Sequence, residues 1–211
     1  MKKTILTAFI VGLLINSFAQ NNHVKLPSVG LHFFFNDFKT AEEIRTSGIV
    51  SVLKTNDWKK TNRMPPGLAA SYMMGLSNHV DFISTASASF MDYPVPGKDN
   101  NGSSNKSLLE ATAEVNLKLL TDNYFITPYV SLGAGFSKYG GYYGALIPAG
   151  VGLQLNLFDE AFLLINSQYR IPVTENVAYH FYHSIGFAGN IVKRKEVEPA
   201  SLPAPPAAEP K

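Results

Sequence analysis

A serine beside a histidine is the pairing from which nucleophilic chemistry could be built here, because an imidazole that takes the serine proton turns the hydroxyl into a nucleophile. The candidates are His180 or His183 with Ser184. On an extended strand successive side chains point to opposite faces, so His180 falls on one side and His183 on the other, and the two imidazoles do not share a site. His32 and His79 stand alone, no serine nucleophile motif is present, and no group of His and carboxylates has metal-ligand spacing. The chain has no cysteine, which removes disulfides, cysteine-ligated metals and thiol chemistry. No catalytic residue, cofactor or metal is therefore expected.

The remaining charged and amide residues follow a different rule: they are spaced by two. Across Leu109-Glu110-Ala111-Thr112-Ala113-Glu114-Val115-Asn116-Leu117-Lys118-Leu119 every odd position is aliphatic and every even one polar or charged. A period of two over about ten residues is a strand with one apolar and one hydrophilic face, long enough to cross a bilayer at a tilt. The pattern recurs over 161–173, where Leu163, Ile165, Tyr169 and Ile171 oppose Asn166, Gln168 and Arg170.

Alternation predicts about eight strands in all. The first carries Val29, Leu31, Phe33 and Phe35 on its apolar side, and the second Leu68, Ala70, Tyr72 and Met74. The third, over about 80–92, sets Phe82, Ala86, Ala88 and Phe90 against Asp81, Thr85, Ser87 and Ser89. The fifth, over about 124–137, puts Ile126, Pro128, Val130 and Leu132 outward and Thr127, Tyr129, Ser131, Gly133 and Gly135 inward. In the sixth, Ile147, Ala149, Val151 and Leu153 oppose Gly150, Gly152, Gln154 and Asn156. The eighth, over about 177–191, places Tyr179, Phe181, Ile185 and Phe187 opposite His180, Tyr182, Ser184 and Asn190. An even number of strands can close antiparallel and leave no edge. The predicted fold class is all-β: an antiparallel transmembrane β-barrel of about eight strands with a polar, side-chain-filled lumen.

In such a barrel the polar faces must be the lumen, since a Glu or Lys at mid-bilayer depth on the lipid side costs a few kcal/mol. Eight strands leave an interior that side chains can fill. Asp81, Glu110, Glu114, Lys118, Asn166, Gln168 and Arg170 are thus expected to form a packed luminal network. The competing reading makes the same charges a selectivity constriction. Pairing of the third and fourth strands is expected to set Asp81 opposite Lys118 and Thr85 opposite Glu114, with Arg170 and Glu110 toward the extracellular end. Inward glycines Gly133, Gly135, Gly150 and Gly152 make room for a large neighbour such as Tyr129 or Tyr182. Aromatics at strand ends, including Phe33, Phe35, Tyr72, Tyr93, Tyr124, Tyr139, Tyr142, Tyr143, Phe158, Tyr179 and Phe181, are read as interfacial girdles.

Short turns near Ser77-Asn78, Thr121-Asp122-Asn123 and Asp159-Glu160 alternate with longer or Gly-rich connections at 36–66, 94–106 and 138–142. Outer-membrane barrels keep their short turns in the periplasm, which places both termini there. The first long loop holds Thr40-Ala41-Glu42-Glu43, the spacing of a capping box that starts a short helix. Its basic residues Lys39, Arg45, Lys54, Lys59, Lys60 and Arg63 are candidates to face lipopolysaccharide phosphates, against a plain solvated loop in which Asp37, Glu42, Glu43 and Asp57 nearly balance them. Asn101-Gly102 marks a turn.

Composition and the two ends fit this class. Hydrophobic residues make up 45% and charged ones 16%, yet no apolar run beyond residue 19 is long enough for a membrane helix. A net charge of +2 with dispersed basic residues excludes a nucleic-acid partner. Lys2 and Lys3, the apolar stretch Ile5 to Ile15 and the small-x-small site Ser17-Phe18-Ala19 read as a secretory signal peptide over 1–19, leaving a mature N-terminal segment over 20–27. The barrel is expected over 28–192, and the Pro/Ala-rich remainder, 193–211, as an extended periplasmic tether.

The chain resembles the N-terminal barrel of OmpA-like outer-membrane proteins of Gram-negative bacteria. The residues that carry the resemblance are Asn36-Asp37-Phe38-Lys39-Thr40-Ala41 after the first strand, Pro66-Gly67-Leu68-Ala69 opening the second, Tyr93-Pro94 closing the third and His183-Ser184-Ile185-Gly186 in the last. The resemblance runs from Ser28 through the Pro-rich tail. It implies a monomeric barrel with a structural, envelope-integrity role, closed or weakly pore-forming, in contact with outer-membrane lipid and lipopolysaccharide. In that family a tether leads to a peptidoglycan-binding domain, so peptidoglycan enters as a partner only through a domain absent from this chain, which ends at Lys211. The alternatives are a small porin-like channel for ions or small solutes and, less favoured, a lipid-modifying enzyme, a class some small outer-membrane barrels belong to. A soluble lipocalin-like barrel would put the apolar faces inward and leave the aromatic girdles without a role.

Overall fold

The computed structural model describes residues 24–55, 61–91, 94, 96, 106–157 and 160–192. The expected signal peptide and tether lie outside the described residues, as do Asn101-Gly102, Asp57, Lys59, Lys60, Tyr93 and Phe158.

Wherever the sequence alternates, a strand forms. In chain order they are β1 (Ser28–Asp37), β2 (Pro66–Ser77), β3 (Val80–Met91), β4 (Lys106–Lys118), β5 (Ile126–Tyr139), β6 (Tyr142–Leu157), β7 (Ala161–Pro172) and β8 (His180–Asn190). Each pairs antiparallel with the next, and β8 pairs antiparallel with β1, so the sheet closes and no strand edge is left open. In β4, Glu110, Glu114, Asn116 and Lys118 are buried while Leu109, Val115 and Leu117 are exposed. The exposed wall is largely apolar: Leu31 and Phe90 are each 74% accessible, Leu68 69%, Phe187 65% and Leu132 61%. A water-soluble antiparallel sheet is built the other way round, and an apolar surface this continuous is foreign to soluble monomers. Among the described residues no helix is long and apolar enough to cross a membrane.

Two connections differ from expectation. The 138–142 connection is a tight hairpin turn joining β5 to β6 through Gly140 and Gly141, with Gly140 at φ 55, a conformation glycine reaches without strain. At the opposite end the β4–β5 connection is longer, spanning 119–125. The marked asymmetry in length therefore rests on 38–65 and 92–105. β8 begins at His180, not near 177, because the backbone turns at Val177, whose N–H donates to the Thr174 carbonyl at 3.3 Å.

The first long connection carries two helices, α1 (Phe38–Ser47) and α2 (Ile49–Thr55), then a short 3-10 turn over Thr61–Arg63. The expected cap at Thr40 is displaced: α1 starts at Phe38, and the Asp37 carboxylate caps it by accepting from the Thr40 N–H at 2.9 Å. Gly48, at φ 80, ends the helix, and its N–H returns to the Ile44 carbonyl at 3.0 Å. Tyr139 leaves the predicted girdle. It is 5% accessible, packs inward against Met91 and Leu108, and its hydroxyl donates to the Met91 carbonyl at 3.0 Å.

Candidate functional site: the barrel lumen

Inward parity brings the sequence-predicted polar residues into the lumen, but in separate groups. At the end where the long connections lie, Arg170 on β7 reaches across to Glu110 on β4, forming an ion pair between side chains each 1% accessible. His180, at the start of β8, places Nε2 3.5 Å from the other Glu110 oxygen. The Arg170 guanidinium also lies 3.8 Å above the Tyr182 ring, a favourable seat for a desolvated cation. Just below, Glu114 accepts from the Thr112 hydroxyl at 2.7 Å and from Gln168 Nε2 at 2.6 Å. Both contacts depend on glycine: a Cβ on Gly133 would sit 2.7 Å from Glu114 Cγ, and one on Gly150 would sit 2.7 Å from Gln168 Cγ.

The opposite mouth holds a second group. Asp81 on β3 lies 3.0 Å from Lys118 Nζ and 2.7 Å from Lys25 Nζ, while Lys118 also reaches Asp122 at 2.9 Å. Lys25 additionally donates to Gln154, and Gln154 Nε2 donates to Asp122 at 2.9 Å. Two cations and two carboxylates balance one another here. The expected register of β3 on β4 is corrected: Asp81 faces Asn116, and Thr85 faces Thr112. Lys118 meets Asp81 diagonally, two positions along the ladder, a distance that a long side chain spans.

Between the two groups sits an apolar cluster, which the expected luminal network did not include, with His32, Asn116 and Asn166 beside it. Met73, Tyr129, Phe162, Leu164 and Ala188 form a buried cluster with Ile83 against it. Tyr129 lies over Gly152, where a Cβ would stand 2.2 Å from the ring. The layer touches the lower group through Lys25, whose ammonium lies 4.8 Å from the Phe162 ring. On the other side it borders a residual cavity of about 30 Å³ shared with Glu114, Gln168, Arg170 and Asn166. Asn166 is not drawn into either charged group, and its Oδ1 has no hydrogen-bond partner among the described residues. A cavity of that size and polarity accommodates a water molecule and little more.

The mouth above Arg170 is capped. Phe38, the first residue of α1, stacks on the His180 ring at 4.6 Å, and Met91, Leu108 and Tyr139 pack around it. Lys25, Asp122 and the Phe34–Tyr182 contact, at 4.6 Å between rings, belong to this interior without having been expected there, whereas His180 and Tyr182 were expected inward but not in the polar network. Lys25 precedes the first alternating stretch and gave no periodic signal. His180 carried only its parity. The imidazoles stay on opposite sides of the wall, His180 inside and His183 outside, where His183 Nδ1 lies 2.9 Å from Ser167 Oγ. No cluster able to hold a metal occurs among the described residues.

A closed eight-stranded barrel with an apolar outer wall and paired charges inside is the transmembrane β-barrel fold. Among solved structures the chain is similar to the N-terminal β-barrel domain of Pseudomonas aeruginosa OprF, with 11% identity, 79% of this chain and 98% of that one covered, and a TM-score of 0.50. Similar too are Ail, the attachment invasion locus protein of Yersinia pestis (14% identity, 80% and 98% covered, TM-score 0.46), and Neisserial surface protein A (11%, 78% and 95%, 0.43). No protein-family model and no curated protein matches the chain. At these identities the likeness to OprF is one of fold.

Proposed function

We propose that this chain is an integral outer-membrane barrel, closed to ions and solutes, with a structural role in the envelope. The observation that supports this reading is the filling of the lumen by side chains. The Arg170–Glu110 pair with the hydrogen-bonded Glu114 lies on one side of an apolar cluster and the Lys25, Lys118, Asp81 and Asp122 group on the other, and the cavity beside the cluster is about 30 Å³. The apolar outer wall supports a bilayer as its surroundings, because those side chains are stabilised by hydrocarbon and penalised by water. The end that carries α1 and α2 is the extracellular one in this reading, and both termini are periplasmic.

The test is conductance of the full chain reconstituted in a planar bilayer, with heat-modifiable gel migration as proof of folding. The expected result is a folded barrel with no steady current. A large, stable conductance from the folded protein would overturn closure. Protease added to intact cells is expected to cut within 36–66 or 94–106, and cleavage after residue 192 would reverse the orientation.

A further inference from the structure

Most outward positions of the wall are apolar; Ser84 and Lys138 are among the exceptions, and on β7 and β8 two polar residues are paired with each other. Along the middle of β7 and β8, Ile165, Tyr169, Phe181 and Ile185 face out, and between them stand Ser167 and His183, opposite one another in the ladder and 2.9 Å apart. A hydroxyl and an imidazole set against hydrocarbon are costly unless paired. These two pair through Nδ1, and among the described residues the imidazole Nε2 has no hydrogen-bond partner, so it can meet one further oxygen.

They stand in a groove. Ladder partners define its two sides, one running Val130, Val151, Ser167, His183, Phe35 and the other Pro128, Leu153, Ile165, Ile185, Phe33. The groove crosses from β5 to β1 with a volume of about 620 Å³. Four inter-strand spacings make it roughly 19 Å long, a little more than one leaflet of hydrocarbon. Strand tilt carries it obliquely through the wall, as a chain in one leaflet would lie. Its upper end leads into a column of rings: Phe181 on His183 at 5.7 Å, Tyr169 on Phe181 at 4.9 Å and Tyr179 on Tyr169 at 5.8 Å. Above them the exposed Arg45 of α1 places its guanidinium 4.0 Å from the Tyr179 ring. Cation above, rings at the interface, apolar groove below with one polar pair: the order matches an anionic lipid whose acyl chain bears an oxygen.

We propose that this wall is a binding site for a phosphorylated lipid with a hydroxylated acyl chain. The phosphate faces Arg45, the chain lies in the groove, and the chain hydroxyl is hydrogen-bonded by the Ser167–His183 pair. The inference rests on the membrane reading above, and its test separates the two.

Full-length protein, wild type and the Ser167→Val/His183→Leu variant, is inserted into nanodiscs, and retention of lipid A and of phosphatidylglycerol is titrated by native mass spectrometry. Replacing polar by apolar side chains on a lipid-facing wall does not weaken the barrel, so heat-modifiable folding is expected for both proteins. The expected result is a loss of lipid A affinity of about tenfold in the variant, the factor one lost hydrogen bond represents, with little change for phosphatidylglycerol. Arg45→Gln should weaken both lipids. Equal lipid A affinity in wild type and variant overturns the site while leaving the membrane reading intact; failure of the wild type to insert overturns the membrane reading itself. Two other outcomes also overturn it: release of free fatty acid by wild type alone, which would make the pair hydrolytic, and a dimer lost in the variant, which would give the groove to a second copy.

Discussion

Arg170→Ala tests whether the lumen is a plug or a wet channel. Its guanidinium and the Glu110 carboxylate are each 1% accessible. Breaking a buried pair by removing one partner leaves the other charge uncompensated and costs about 3–5 kcal/mol, whereas a solvated pair is worth at most about 1 kcal/mol. The substitution also removes the cation stacked 3.8 Å above Tyr182. Two features soften the loss: His180 Nε2 remains 3.5 Å from Glu110, and the neighbouring cavity of about 30 Å³ enlarges enough to admit further water. The expected cost is therefore near the lower bound, about 3 kcal/mol. At roughly 2–4 °C per kcal/mol for a domain of this size, the midpoint should fall by about 6–12 °C. Urea unfolding in detergent, with the heat-dependent gel shift alongside, measures it. If the damage comes from the orphaned carboxylate, Glu110→Gln in the Arg170→Ala background restores part of the loss, and the cycle returns a coupling of about 1–3 kcal/mol. A single-variant loss under about 1 kcal/mol with additive effects would refute the reasoning and leave the charges solvated.

The other predictions probe the faces and the packing. Val115→Arg, outward on β4, should cost about 2–4 kcal/mol and reduce assembly in vesicles, while Val115→Leu should be neutral; equal behaviour of the two would deny that this face meets lipid. Gly152→Ala drives a Cβ to within 2.2 Å of the Tyr129 ring and should lose about 1–3 kcal/mol by urea titration. Gly141→Ala, with nothing within 4 Å, is the control expected to lose nothing. Lys25→Ala leaves Asp81 and Asp122 to share Lys118, so it should lower the unfolding midpoint and expose the segment before β1 to limited proteolysis; an unchanged cleavage pattern would mean that Lys25 does not hold that segment in the mouth.

The eight strands and their faces were legible because side-chain direction has a period of two. Even a misjudged boundary, as at β8, leaves parity intact. Register was less legible for the same reason. A slip of two residues preserves every face, so setting Asp81 opposite Lys118 and the observed pairing of Asp81 with Asn116 satisfy the pattern equally, and the charge match is met in the second by a diagonal reach of 3.0 Å. The apolar layer was hidden in Phe162-Leu163-Leu164-Ile165, where both parities are apolar and alternation says nothing about which side is inside. Asp37 as helix cap was masked by the competing signal at Thr40, and Lys25 by its position ahead of any periodic segment.

In the proposed closed barrel, that hidden layer changes how closure works. Had all the luminal charges formed one network, a single rearranged pair could open a continuous polar path from mouth to mouth. Instead Glu110 and Arg170 are paired above the Met73–Tyr129–Phe162–Leu164 cluster, and Lys25, Lys118, Asp81 and Asp122 balance one another below it. An ion entering from either end leaves one charged group only to meet this apolar cluster, where an unpaired charge costs several kcal/mol. Conduction requires an upper pair, a lower pair and the apolar packing to yield together. Loss of any one side chain should then register as lost stability well before it registers as current, which makes Arg170→Ala a destabilised but still silent barrel.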